Sequence, residues 1–276
     1  FQLRFYSPRA LKNVTFWARI DGYEEEFKFM SLEKIMPFQQ LRVHIPFATK
    51  DLTAYTRSGK KIRIMANPYL TEENLTFTVE CDDPYWTRLQ SIRCKWYIAF
   101  GRYSDPQESW KYKMKASHSR EAVAIALNMA YMFSSERFKT ALYEFGPLHS
   151  NNDKAEIDKT ALLANVLNHR GLTFGYTTGV MGLGGGTTFG MHEVCYLEHY
   201  ADDKSITETI FHEFAHCVGY GHAGNMTYEQ TGPGWITLCN NVYVALSLDK
   251  ELPVYSRRFL HTRWSRNRYF DDIYVA

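Results

Sequence analysis

The segment HEFAHCVGYGH places three histidines at fixed spacings, as residues His212, His216 and His222. The first two are four positions apart, so on a helix both imidazoles lie on one face, roughly 5–6 Å apart at Cβ. A continued helix would carry the third histidine away from them. Gly219 can take the left-handed conformation that ends a helix and turns the chain back. The spacing therefore predicts a helix followed by a tight turn, with three imidazoles directed at one metal ion.

Three histidines leave one of the four positions of a zinc ion open, as in a catalytic rather than a structural site. Glu213 lies one residue beyond His212, close to the ion, where it can take a proton from a zinc-bound water. The alternative is an amphipathic helix with two solvent-facing histidines, which repel each other when protonated. With 17 glycines and 10 histidines in 276 residues, the added Gly and His would both occur by chance roughly once in 450 trials, which favours the metal site.

Composition excludes several classes of protein. The chain is 45% hydrophobic and 16% aromatic, so it can bury large cores, and its formal charge of +2 gives no reason to expect a nucleic-acid partner. The basic stretch at 257–269 is interpreted as a solvated C-terminal face. No apolar run reaches the length of a membrane span. The first residues do not resemble a signal peptide; they look like the start of a trimmed or mature chain, so we expect any targeting segment to be missing here.

Cysteine usage does not indicate a disulfide framework, because five cysteines is an odd and sparse set. Cys81 and Cys94 are close enough in sequence to bridge two strands. Buried free thiols are the favoured interpretation.

The first hundred residues alternate between apolar and polar side chains in short runs separated by turn residues. Asp21-Gly22 suits the left-handed positions of a tight hairpin turn. Regularly spaced short strands of this kind predict a β-sandwich-like accessory domain over residues 1–104. The predicted strands are NVTFWARI, YEEEFKFM, LRVHIPFA, KKIRIMA, NLTFTVE and RCKWYIAF.

Helical periodicity begins after this region, so residues 105–276 are predicted to form an α/β catalytic domain and the whole chain an α+β fold. Strands are predicted at 172–178 and 191–200 on either side of a glycine-rich stretch. The predicted helices cover residues 119–133, 153–169, 206–218 and 236–248.

The histidines, Glu213 and Gly219 together match the pattern HExxHxxGxxH. This pattern resembles the signature of the metzincin clan of zinc metallopeptidases, and the resemblance covers residues 206–228 only. Asn225-Met226-Thr227-Tyr228 is similar to the methionine-containing turn of that clan. The resemblance implies that Met226 forms the floor of a zinc site and that Tyr228 can donate a hydrogen bond to the oxyanion. Only three residues separate His222 from Met226, fewer than in most metzincins, so either the C-terminal lobe is abbreviated or Met226 is not the methionine of that turn.

The resemblance implies a secreted or cell-envelope zinc endopeptidase that cleaves proteins or glycoproteins. The glycine-rich stretch Gly179–Gly190 lacks the residues of a phosphate-binding loop and is interpreted as a flexible loop. By the same resemblance, residues Thr187–Tyr196 are expected to offer a sheet edge to which substrate binds as an added strand.

Other functions remain open at this stage. The chain can be a surface binding or adhesion protein with a structural zinc, in which Tyr228 or Glu229 fills the fourth position. It can also be a zinc amidase that acts on a non-protein substrate. His192 and His199 precede the zinc helix, and satisfied structural histidines are favoured there over a second metal site.

Overall fold

A computed structural model describes most of the chain in two compact units, Phe1–Thr87 and Arg88–Ala276. The predicted boundary at 104/105 lies outside the described residues and stays a prediction, as does the interpretation of the basic stretch at 257–269. The described residues are 2–4, 10–36, 39–71, 73–101, 114–199 and 204–254.

The first unit is built from antiparallel strands, which confirms an N-terminal β region. β2 pairs with both β3 and β7, β1 pairs with β4, and β5 pairs with β6. Gly22 adopts a φ of 90° in the turn between β2 and β3, as the Asp-Gly pair predicts. The strands are β1 (Gln2–Arg4), β2 (Leu11–Ile20), β3 (Phe27–Ile35), β4 (Gln40–Arg42), β5 (Leu52–Tyr55), β6 (Lys61–Ile64) and β7 (Leu75–Glu80).

Apolar side chains that alternate with polar ones along the strands form the core of this unit, because successive side chains point to opposite faces of a sheet. Phe27 and Phe47 are fully buried and meet edge to face, with ring centroids 5.6 Å apart. The remaining buried members are Ala18, Ile20, Ile45, Ala54, Ile64 and Leu75.

The second unit combines helices with a mixed sheet. Helix α1 (Pro84–Gln90) crosses the division between the two units and was not predicted. The sheet order is β10-β11-β9-β8, with β10 antiparallel to β11 and the other neighbours parallel. The elements are β8 (Tyr97–Phe100), α2 (Ala116–Ser134), α3 (Glu136–Glu144), α4 (Lys159–Leu167), β9 (Gly171–Thr177), β10 (Gly182–Gly185), β11 (Thr188–His192), α5 (Glu193–Glu198), α6 (Lys204–Cys217) and α7 (Trp235–Leu248).

Several local predictions for this unit differ from the structure. The stretch MHEVCYLEHY was predicted as one strand, but it forms the end of β11 and then helix α5, because the His192 ring caps that helix through the Val194 N–H. β8, which was grouped with the N-terminal strands, pairs with β9 instead. The predicted helix at 153–169 begins only at Lys159, where the Asp158 side chain accepts two backbone N–H bonds.

The core of the second unit lies between α6, α2, α7 and the sheet. Phe133 stacks on both Phe214 and Trp235, at centroid distances of 5.1 and 5.6 Å. These contacts hold the apolar side of α6 against the core of the unit, so the polar side of the helix faces away from the core. None of the described helices is long and apolar enough to span a membrane.

Candidate metal centre

Helix α6 buries one side and carries the candidate ligands on the other. Phe211, Phe214 and Ala215 are fully buried, whereas His212 and His216 are half-buried on the opposite side. This division follows from the 3.6-residue period of the helix. Packing of the apolar side therefore holds the two imidazoles side by side, with ring centroids 4.8 Å apart.

The helix ends where the spacing of the sequence predicts. Gly219 has a φ of 103°, and the N–H of Tyr220 bonds back to the carbonyl of Ala215, an arrangement typical of a left-handed helix terminus. Two side chains from outside the helix satisfy its last carbonyls: the His169 ring lies 3.0 Å from the Cys217 oxygen, and the Asn165 amide donates to Val218. The turn returns the chain so that His222 faces the two helical histidines.

Backbone carbonyls fix the orientation of both helical imidazoles. Nδ1 of His212 lies 3.2 Å from the Thr227 oxygen, and Nδ1 of His216 lies 2.6 Å from the Tyr220 oxygen. A carbonyl can only accept, so each Nδ1 carries the proton and each Nε2 presents a lone pair. The two Nε2 atoms are 3.1 Å apart. Two lone pairs at this distance repel unless a cation lies between them.

The distance between the two helical ligand atoms suits a tetrahedral metal. Ligand nitrogens at about 2.0–2.1 Å from a zinc ion lie roughly 3.3 Å apart in a tetrahedron, close to the 3.1 Å between the two Nε2 atoms. Burial lowers the pKa of both His212 and His216, so they are neutral at pH 7, the form that binds metal.

The three histidines His212, His216 and His222 can hold a metal ion, since their ligand atoms all lie within 4.8 Å of one another. They form the only cluster of three or more potential ligands among the described residues. The Tyr228 ring lies 4.7 Å from both the His212 and the His222 rings and is 59% exposed. The predicted catalytic tyrosine therefore borders the cluster.

Glu213 is held in a buried position beside these ligands. It is 7% exposed, and burial raises the pKa of its carboxyl to about 7, although a hydrogen bond from the Gly184 N–H opposes this rise. Strand β10 lies so close to it that a Cβ on Gly182 would lie under 3.0 Å from the Glu213 side chain. A Cβ on Gly184 would meet the Glu213 backbone in the same way. The glycines of β10 are therefore needed where the strand contacts the carboxylate.

The sequence suggested that the glycine-rich stretch is a flexible loop, and this interpretation is wrong. The stretch forms β10, a turn and β11, and among the described residues β10 is an edge of the sheet. The expectation that Thr187–Tyr196 supplies a free edge is wrong, because β11 pairs on both sides. This role was misassigned because glycine has a low strand propensity and the contact with α6 cannot be seen in the sequence.

The turn after His222 is built by its polar side chains. Met226 is fully buried in the core of the unit, and the Asn225 amide donates to the carbonyls of Pro147 and Pro233. The Thr227 hydroxyl donates to the Gly221 oxygen, while its own carbonyl meets His212. These contacts connect the turn directly to the metal cluster.

Glu229, the alternative ligand considered from the sequence, has another task. Its carboxylate accepts bonds from the Gly234 N–H, the Thr237 N–H and the Thr237 hydroxyl at 2.9–3.1 Å. It thus caps the N-terminus of α7 and neutralises the positive end of the helix dipole. It lies outside the histidine cluster.

An open cavity of about 420 Å³ lies next to the cluster. His212 and Glu213 both line it, so a ligand in the cavity would lie beside both the candidate metal site and the carboxylate. Its lining residues are Met181, Glu208, Thr209, His212, Glu213, Thr227, Tyr228, Glu229, Ile236 and Thr237.

The other histidines noted in the sequence form structural contacts. The His192 ring caps α5, and His199 is fully buried with its Nε2 atom 3.1 Å from a Glu121 oxygen. Neither belongs to a metal cluster among the described residues. All five cysteines are free thiols, as the sequence favoured, but Cys81 and Cys94 are only partly buried.

Comparisons with protein families, with curated proteins and with solved structures found no match to this chain.

Proposed function

We propose that the protein is a zinc-dependent endopeptidase of the extracytoplasmic space that acts on proteins or glycoproteins. The observation that carries this proposal is the convergence of two Nε2 lone pairs at 3.1 Å, with a buried carboxylate on the adjacent residue, Glu213. A purely structural zinc normally has four protein ligands, and Glu229, one candidate for the fourth, caps a helix instead.

His212, His216 and His222 would hold the metal. When bound, zinc supplies an activated water near neutral pH and polarises the scissile carbonyl. Glu213 accepts a proton from the attacking water and delivers it to the leaving amine, a role that suits a carboxyl buried beside the ligands. Tyr228 borders two of the ligand rings and would donate a hydrogen bond to the developing oxyanion.

Strand β10 would bind the substrate backbone. It is an edge strand among the described residues and lies against Glu213, so a peptide paired with it as an added strand passes close to the carboxylate. The catalytic domain in this proposal comprises residues 105–276, and residues 1–104 form an accessory β domain.

Product analysis by mass spectrometry tests the proposal. Zinc-loaded protein is incubated with a mixture of unfolded proteins and O-glycosylated mucin fragments, in parallel with Glu213→Gln, which keeps the shape of the side chain and removes the base. We expect new N-termini from the unsubstituted protein, their loss after chelation and their return on addition of zinc. We expect none from Glu213→Gln, although it still binds one zinc ion.

Two results would contradict the proposal. One is a protein that binds zinc at one ion per chain and cleaves nothing in the mixture, and the other is a Glu213→Gln variant that cleaves as fast as the unsubstituted protein. The first result would favour a structural metal, and the second would assign the base to another residue.

A further inference from the structure

One carboxylate in the cavity takes no part in the proposed chemistry. Glu208 lies four residues before His212 on α6, so its side chain is on the ligand side of the helix and lines the cavity. It is exposed, and no hydrogen bond or ion pair to it occurs among the described residues. A ligand in the cavity therefore meets a carboxylate with which no described side chain forms an ion pair.

The other two carboxylates of the cavity are engaged. Glu229 accepts three hydrogen bonds at the start of α7. Glu213 is buried beneath β10 and receives the Gly184 N–H. Glu208 is thus the acid left to interact with a ligand.

The remaining side chains that line the cavity carry no charge. Met181 and Ile236 are apolar, and the threonines Thr209 and Thr237 add small hydroxyl groups. None of the described residues that line the cavity is a lysine or an arginine. A lysine or arginine side chain matches this surface, because its methylene stem packs on apolar walls while its charged end stays solvated beside an acid.

We propose that Glu208 makes the cavity selective for a lysine or arginine side chain next to the scissile bond. This inference rests on the proposed peptidase function and specifies its substrate class. Recognition is a long-range attraction to an exposed carboxylate rather than a buried ion pair. Its size is accordingly modest, about fivefold in kcat/KM for Lys over an uncharged residue of equal length, and it decreases as salt is added.

The test begins with a library of unstructured peptides cleaved by zinc-loaded protein and sequenced by mass spectrometry. We expect lysine and arginine to be enriched at one position beside the cleaved bond. Synthetic versions of a cleaved peptide then carry Lys, norleucine or Glu at that position. Glu208→Gln is expected to lower the ratio of kcat/KM for Lys over norleucine about fivefold, and Glu208→Lys to reverse the preference toward Glu.

Glu144→Gln is the matched control, since it removes the same charge from an exposed helical position outside the cavity. It is expected to leave the ratio unchanged. A second readout does not depend on turnover: in Glu213→Gln protein, the Kd of the Lys peptide is compared with that of the norleucine peptide, with and without Glu208→Gln. Lower salt is expected to strengthen binding of the Lys peptide only when Glu208 is present.

The outcomes separate this inference from the proposed function. Cleavage without enrichment of basic residues, or a Lys-to-norleucine ratio that Glu208→Gln leaves unchanged, overturns the inference and leaves the peptidase standing. Absence of any zinc-dependent cleavage overturns both.

Discussion

Two groups of histidines and glutamates in the second unit use the same residue types in opposite ways. In the metal cluster, His212 and His216 bond to backbone carbonyls and direct their free nitrogens at each other. In the second group, which we name the paired cluster (His118, Glu121, Glu193 and His199), each histidine meets a carboxylate at 3.0–3.1 Å. Both ring nitrogens of His118 are engaged, because its Nδ1 also accepts the Lys115 N–H, whereas His212 and His216 each keep an Nε2 lone pair for a metal.

Burial separates the two groups as well. His118 and His199 are 1% and 0% exposed, and Glu121 is 1% exposed and also pairs with the neighbouring Arg120. A catalytic metal needs access for substrate, which these three buried side chains do not offer. The paired cluster therefore stabilises the contact of α2 with α5 and the residue that follows it, while the metal cluster opens onto a cavity.

Removal of Glu121 is expected to have the largest effect. Glu121→Ala leaves the buried Arg120 and His199 without their carboxylate, and loss of one partner of a buried pair costs about 3–5 kcal/mol. Urea denaturation of metal-free protein measures the free energy of unfolding. Zinc affinity of the folded fraction is expected to stay unchanged, and a marked loss of affinity would show that the two clusters are coupled.

Removal of His216 is expected to lower the zinc affinity strongly and to leave the stability of the metal-free protein nearly unchanged. Loss of a metal-bound histidine should weaken zinc by more than about 100-fold, since loss of a residue that merely orients a ligand costs 10–100-fold. The free energy of unfolding without metal should change by less than about 1 kcal/mol, because repulsion between the Nε2 atoms is relieved. Competition with a chromophoric chelator measures the zinc affinity. Equal zinc affinity in His216→Ala would contradict the ligand assignment.

Gly182→Ala tests whether β10 positions the carboxylate of the metal cluster. The new Cβ collides with the Glu213 side chain, and a displacement of about 1 Å at a reacting group can cost roughly 100-fold in rate. We expect kcat to fall by about that factor while zinc still binds at one ion per chain. Gly186→Asn is the control, because Gly186 has a φ of 54°, which asparagine tolerates, and its Cβ would meet nothing within 4 Å. Equal kcat values in the two variants would exclude the positioning role.

The smallest expected effect is the change in stability with pH that arises from the paired cluster. Burial lowers the pKa of His118 below its ordinary 6.5, and hydrogen bonds from His118 and Lys115 lower that of Glu193 below 4.5. A lowered pKa means that the unfolded chain binds the proton first, so stability is lost as pH falls, from about 6.5 for His118 and about 4.5 for Glu193.

Glu193→Gln separates these two contributions. In this variant, the decrease in the free energy of unfolding below pH 4.5 should become smaller by less than about 1 kcal/mol, since the Glu193 carboxylate is partly exposed. The decrease in the free energy of unfolding near pH 6 should become larger, because the carboxylate that favoured protonated His118 is absent. Urea denaturation between pH 7 and pH 4 on both proteins measures the difference, and identical pH profiles would refute the pairing.

Local periodicity explains which features could be predicted from the sequence. The strands of the first unit and the helices α2, α6 and α7 follow from residue patterns within each segment. The position of Gly219 predicts the turn that brings His222 back, because a left-handed φ is easily adopted only by glycine. These features depend on neighbours within about seven residues, which the sequence displays directly.

Two local helix caps and one distant contact were not predicted. The stretch at 191–200 alternates like a strand, yet it becomes α5 where His192 caps it. Glu229 was a candidate metal ligand until the fold placed it at the start of α7. His199 could not be distinguished from a ligand until Glu121, 78 residues away, was found beside it.

The sequence by itself thus determined the α+β class, the three histidines and the helix–turn that presents them, since each is a matter of local geometry. Only the tertiary structure decided that glycine strand β10 lies on Glu213, that His118 and His199 pair with acids, and that Glu208 faces an open cavity. The physical reason is that burial and the partners of a charge arise when segments far apart in sequence pack together, and these decide what a polar side chain can do.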